Sequence, residues 1–198
     1  MVISQFHPIV GGAEKQALLL SKALKKKGHE VTVVTGWWLR GTLPKESIQQ
    51  IPVLRNFCVW GMSGPKWRRP LGPFTYMVTL FLYLFRHRKE YHIIHIHQAL
   101  YPAFVGVVAG RFLKKPTVVK VGCSGKWGDI ETMSEGKIPF GQLMLKRIRH
   151  CDRVIAMSRQ MREELAEFGF PQEKIVFIPN GVMVKNRKED HSRVSRGL

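Results

Sequence analysis

Phe6-His7-Pro8-Ile9-Val10-Gly11-Gly12-Ala13-Glu14-Lys15-Gln16 is the stretch on which the fold of this chain turns. Before it, Met1 to Phe6 is an apolar run of strand length. Gly11 and Gly12 then make a turn without side chains, where backbone N–H groups can face a ligand. After it, Ala13, Ala17, Leu20 and Leu24 share one stripe of a helix that closes with Lys25, Lys26 and Lys27 before Gly28. A strand, a glycine turn and a helix N-terminus suit an anion, because the first helical N–H groups lack partners and the dipole is positive there. A plain βα turn has the same local sequence, and a glycine pair alone does not separate the two.

Working outward, His29 to Thr35 is a β-branched run ending at Gly36, so a first βαβ unit spans Met1 to Thr35. Residues 37–55 read as irregular, with a short strand at most over Ile51 to Leu54. Gly and Pro mark a loop from Gly61 to Pro73. Three further strands are expected over Glu90 to His97, Pro116 to Val121 and Cys151 to Met157, and a last one over Lys174 to Ile178. Helices are expected over Tyr101 to Leu113, with Pro102 in the first turn, over Phe140 to His150, and from the N-cap Ser158 to Phe168 before Gly169. About six strands alternating with helices make an α/β, doubly wound, mainly parallel sheet. Ligands of such sheets bind beyond the C-terminal strand ends, where Gly11-Gly12, His97, the Gly122 to Asp129 loop and Ser158 all fall. The domain is expected over residues 1–184, with 185–198 a linker or tail that is charged and lacks apolar periodicity.

The chain has 198 residues and 44% hydrophobic content, enough for one large domain. Its 32 Lys and Arg against 14 Asp and Glu give a net charge of +18, which calls for nucleic acid, anionic lipid or a polyanionic substrate. No basic-aromatic RNA motif or zinc finger is present, so nucleic acid is not an expected partner. Gly-x-Gly-x-x-Gly is absent after the first strand, which argues against a dinucleotide-dependent oxidoreductase. Cys58, Cys123 and Cys151 are odd in number and widely spaced, as reduced thiols are. With no secretory signal read at the start, a cytoplasmic location is expected, peripheral on the inner face of the plasma membrane if lipid binds. His92, His95 and His97 lack a ligand set for zinc, and neither a metal nor a cofactor is expected.

Phe74 to Phe85 is apolar nearly all round and followed by Arg86-His87-Arg88-Lys89. It is shorter than the roughly 20 apolar residues that span a bilayer. It reads either as a buried core helix or as a helix dipping into the membrane interface. Lys66, Trp67, Arg68 and Arg69 before it read either as membrane contacts or as a solvated basic loop.

Pro8-Ile9-Val10-Gly11-Gly12-Ala13-Glu14 resembles the glycine loop that opens glycosyltransferase family 4. His92-Ile93-Ile94-His95-Ile96-His97 resembles the family's fourth strand. Ser158 to Gly169 and then Lys174-Ile175-Val176-Phe177-Ile178-Pro179-Asn180-Gly181-Val182 resemble the close of its N-terminal domain. The resemblance implies the N-terminal, Rossmann-like half of a GT-B architecture. It also implies a retaining transfer of sugar from a nucleotide-sugar donor without a bound metal. The acceptor, a glycan or lipid-linked precursor, would lie on this half. A C-terminal donor-binding domain or a partner chain would supply the nucleotide site. The isolated chain is therefore expected to be inactive or nearly so. Two departures stand out. The loop after Lys120-Val121 carries Gly122-Cys123-Ser124-Gly125 where many members have a histidine, and Met183 follows Pro179-Asn180-Gly181-Val182 where Asp is common.

The resemblance assigns Gly11 and Gly12 to the donor phosphate, whose charge grows as the glycosidic bond breaks. Glu14 either positions that loop or complements the helix dipole. His97, at a strand end, is a candidate catalytic group or a structural histidine; His95 is read as structural. Asp129 is a candidate catalytic carboxylate or a turn stabiliser. Ser124, Gly125 and Lys120 are expected on the acceptor side. A competing reading is a non-catalytic subunit that recruits a donor-binding partner to anionic membranes.

Overall fold

The computed structural model describes residues 1–59, 71–125 and 127–181. It contains β1 (Val2–Ile3), α1 (Gly12–Lys26), β2 (Val33–Gly36), β3 (Lys45–Ile48), β4 (Ile51–Asn56), α2 (Leu71–Arg86), β5 (Ile94–His97) and α3 (Tyr101–Leu113). These are followed by β6 (Thr117–Lys120), α4 (Asp129–Ser134), α5 (Gly141–Ile148), β7 (Arg153–Ala156), α6 (Arg159–Glu167) and β8 (Ile175–Phe177). One eight-stranded sheet runs in the order β3-β4-β2-β1-β5-β6-β7-β8. All neighbours are parallel except β3 with β4.

The strand order reverses at β1. The chain first moves outward from β1 to β2, then crosses back so that β5 pairs with the other side of β1. Right-handed crossovers put helices on opposite faces when the direction of winding reverses. Accordingly α1 covers one face, where Ala17 packs with Ile3, Val33, Ile51 and Val53. The helices α2 to α6 cover the other, where Leu80, Ala103, Ile130, Leu145 and Leu165 join a core with Val2, Ile96, Val119 and Val154. The neighbours Val2 and Ile3 point into different cores, as strand alternation requires. On the α1 side, a broad groove lined by His95, Val118, Lys120, Ile155 and Ile178 runs beside that helix.

The eight strands exceed the six expected. The additional pairing is the β3–β4 hairpin, in register Ile48↔Ile51 and Lys45↔Leu54. Its turn residues Gln49 and Gln50 both have positive φ, 49° and 68°. Two-residue hairpins of this hand usually announce themselves with Asn or Gly. Here two glutamines occupy the turn, tied to α1 by Lys22 on the Gln49 side chain and by Lys25 Nζ donating to Gln50 O at 2.8 Å. Leu71, Gly72 and Pro73, expected as loop, belong to α2, where Pro73 is tolerated in the first turn, and the rest of that expected loop lies outside the described residues. A six-residue helix, α4, stands where loop was expected to run on past Asp129. Lys66, Trp67, Arg68, Arg69 and the proposed tail 185–198 lie outside the described residues.

Candidate functional site at the sheet's C-terminal edge

The glycine turn leads from β1 into α1, with Gly11 as N-cap. Glu14 is buried and its Oε2 accepts the Gly11 N–H at 2.8 Å. The expected phosphate donor Gly11 therefore already has a partner, and Glu14 positions the loop. The N–H groups of Gly12, Ala13 and Glu14 are the first-turn donors without intrahelical acceptors. A Cβ at Gly11 would meet Glu14 Oε2 at 2.6 Å, whereas one at Gly12 would meet nothing within 4 Å. Open space beside Gly12 is what an incoming anion needs.

Arg55 steadies this turn from below, and nothing in the sequence pattern singled it out. It is 6% exposed, ion-paired with Glu46, and donates Nη2 to His7 O and Nη1 to Leu43 O, both at 2.6 Å. Trp38 adds a 2.6 Å bond from Nε1 to Ser4 O.

The sheet's reversal lies between β1 and β5, so the glycine turn and the residues after His97 flank the crevice where doubly wound sheets bind ligands. His97 pairs in register with Ile3 and Lys120. Ile94 and Ile96 point into the α3-side core, so His95 and His97 project to the α1 side, with ring centroids 4.9 Å apart. His97 is 2% exposed, and neither its Nε2 nor that of His95 has a hydrogen-bond partner. Burial, then the neighbouring His95, Lys120 and the amino terminus, pushes the His97 pKa far down. Burial, the amino terminus and Lys120 bring His95 down to about 4. Both rings are neutral near pH 7. His97 carries two readings, catalytic group or structural histidine; it is a buried imidazole whose Nε2 lacks a partner, suited to a neutral hydrogen bond. Gln98, which shares the strand end with His97, follows with φ at 75°. Strained backbone of this kind gathers at functional sites.

Asp129 carries two readings, catalytic carboxylate or turn stabiliser. Its Oδ2 accepts the N–H of Ala99 at 2.9 Å and of Gly122 at 2.8 Å, joining the loops that follow β5 and β6. It is 8% exposed, and burial raises its pKa despite those two bonds. Its Oδ2 is thus engaged with backbone on both sides, the geometry of a turn stabiliser. The following loop is held by Glu164, whose Oε2 accepts the Gly125 N–H at 3.1 Å. Gly125 has φ at 79°, and Gly128 is hemmed in by Cys123 O and Gly125 O at 2.9 Å from a would-be Cβ. Ser124 sits half-buried in this loop.

Lys120, expected to contact acceptor, donates Nζ to Asn180 Oδ1 at 2.6 Å. Burial lowers its pKa. Gln16, one turn into α1, donates Nε2 to Gly181 O at 2.9 Å. The segment after β8 thus crosses the edge of the sheet and meets α1 near the glycine turn. Lys120, Asn180, Gly181 and the α1 N-terminus are brought together. Ser158 caps α6 through a 3.1 Å bond from the Met161 N–H.

Residues 10–185 match the model of Glycosyltransferase Family 4. The chain belongs to glycosyltransferase family 4. An uncharacterized glycosyltransferase of Methanocaldococcus jannaschii is 27% identical to this family 4 chain over 92% of its length. Among solved structures, Anabaena HepE in complex with UDP-glucose superposes with a TM-score of 0.55 at 17% identity, over 91% of this chain. A sucrose-phosphate synthase of Thermosynechococcus elongatus superposes with a TM-score of 0.64 at 16% identity, over 92% of this chain and 90% of its own. At such identities the structural likeness is one of fold, the Rossmann-like domain of GT-B proteins. The family 4 chain spans 45% of the Methanocaldococcus relative and 43% of HepE.

Proposed function

We propose that this domain is the acceptor-side half of a retaining glycosyltransferase that moves a sugar from a nucleotide-sugar donor to a glycan or lipid-linked acceptor. The observation that carries the reading is the open α1 N-terminus beside the strand-order reversal. Its free N–H groups at Gly12, Ala13 and Glu14 would meet the donor diphosphate, and fixed donors aimed at growing negative charge lower the barrier to bond breaking. Ser124 and the backbone after His97 and Gln98 would form the facing wall, where acceptor hydroxyls would lie, with Lys120 on the α1 side of it. Asp129 and Glu164 keep that wall in place. The nucleotide and sugar would be held by a second domain, so the chain alone is expected to bind nucleotide weakly and to turn over little.

The test joins this chain to the second half of the Methanocaldococcus relative and measures release of nucleoside diphosphate from a panel of nucleotide sugars with glycan and lipid-linked acceptors. Transfer by the folded chimera, reduced about tenfold or more by Gly12→Ala, is the expected result. Transfer indifferent to Gly12→Ala, or equal transfer by the chain alone, would overturn the proposal.

A further inference from the structure

We propose that the outer face of α2 and α3 docks the protein on a membrane surface rich in anionic lipid. The helix α2 has two apolar stripes. The inner one, Tyr76, Leu80 and Leu84, is buried in the core. The outer one, Leu71, Phe74, Val78, Leu82 and Phe85, recurs every three or four residues and is 40–58% exposed. It runs for about 21 Å along the helix. Phe112 of α3, 67% exposed, widens it, with its ring 6.4 Å from Phe81 and 6.2 Å from Phe85.

Both helices end in cations beside this stripe. Arg86 ends α2 and Arg88 and Lys89 follow it, and Arg111 lies in the last turn of α3 with Lys114 and Lys115 after it, against the carboxylate Glu90. Arg88 lies over the Phe85 ring at 4.8 Å, which joins the collar to the stripe. An apolar face with a basic edge is the composition of a helix lying in the plane of the headgroups, rings among the acyl chains and cations on the phosphates. No described helix is long and apolar enough to cross a bilayer, so the contact lies on the surface. A second copy seated on the same face would bring together two molecules each of net charge +18, whereas an anionic surface complements that charge. The proposal rests on described residues and not on Lys66 to Arg69.

Flotation of the chain with vesicles of equal parts phosphatidylcholine and phosphatidylglycerol, and with phosphatidylcholine alone, tests it. The chain is expected to float with the anionic vesicles and to stay behind with the neutral ones. Replacing Phe74, Leu82 and Phe112 together by Ser should lower binding about tenfold with unchanged circular dichroism, and Arg86→Glu with Arg88→Glu should lower it similarly. Leu82→Ser alone, with a smaller loss, serves if the triple variant does not fold. Failure of the chain to bind anionic vesicles would overturn the proposal. Binding undiminished by the Ser variants would do the same, since that attraction would be charge without the stripe. So would a dimer, seen by sedimentation, that the Ser variants dissolve.

Discussion

The two glycines of the opening turn do different work. Gly11 leaves room for the Glu14 carboxylate, which takes its N–H; Gly12 leaves room for something absent from the chain itself. Gly12→Ala should therefore raise thermal stability slightly, by about 0.5 kcal/mol from helix propensity, while weakening diphosphate binding. Gly11→Ala, which drives a methyl against Glu14 Oε2, and Glu14→Ala, which strands the Gly11 N–H, should each cost about 1 kcal/mol in a denaturant melt. Asp129→Ala leaves two N–H groups without their acceptor and should cost about 2–4 kcal/mol, measured the same way. The histidines set a pH dependence. An unfolded chain binds protons on His95 and His97 near the ordinary value of 6.5, and the folded one resists them until about 4 at His95 and lower at His97. Stability from this pair is complete above 6.5 and is lost as pH falls through that window, so the melting temperature should drop from about pH 7 to about pH 5. His95→Gln with His97→Asn should flatten that slope. Asp129, its pKa raised by burial, works in the opposite sense, losing stability as pH rises through its folded value.

The elements divide by how loudly their residues speak. Tyr101–Leu113 was legible because Pro102 sits in its first turn. The α6 helix was legible from Ser158 and Gly169. The hairpin was not, since Gln49 and Gln50 carry no turn signature and their positive φ is imposed by α1 and the sheet. Nor could apolarity alone decide the packing of α2: burial on one side and exposure on the other are both true of it, and they alternate at helical spacing. Leu80, wholly buried, and Leu82, 58% exposed, make the contrast measurable. Leu80→Ala should cost about 2–5 kcal/mol and Leu82→Ala should stay near neutral in a thermal melt. Equal costs would mean that the outer stripe is packed in the free protein.

Taken whole, the molecule is a sheet wound in two directions from β1, and the reversal decides where chemistry can occur. The order of strands and glycine turn in the sequence was enough to foresee a doubly wound fold and a crevice at its C-terminal edge. The partners of the polar groups were not foreseeable, because they come from distant chain: Asp129 with Ala99, Lys120 with Asn180, Gln16 with Gly181. Those contacts engage Asp129, Lys120 and Gln16 and leave the α1 N-terminus open at that edge. Its occupancy by a diphosphate is the central claim, and backbone amide shifts read by NMR during titration with pyrophosphate and then UDP-glucose test it most directly. Weak binding is expected, with the largest shifts at Gly12, Ala13 and Glu14, lost in Gly12→Ala. Shifts confined to the basic ends of α2 and α3, with the glycine turn unmoved, would contradict it.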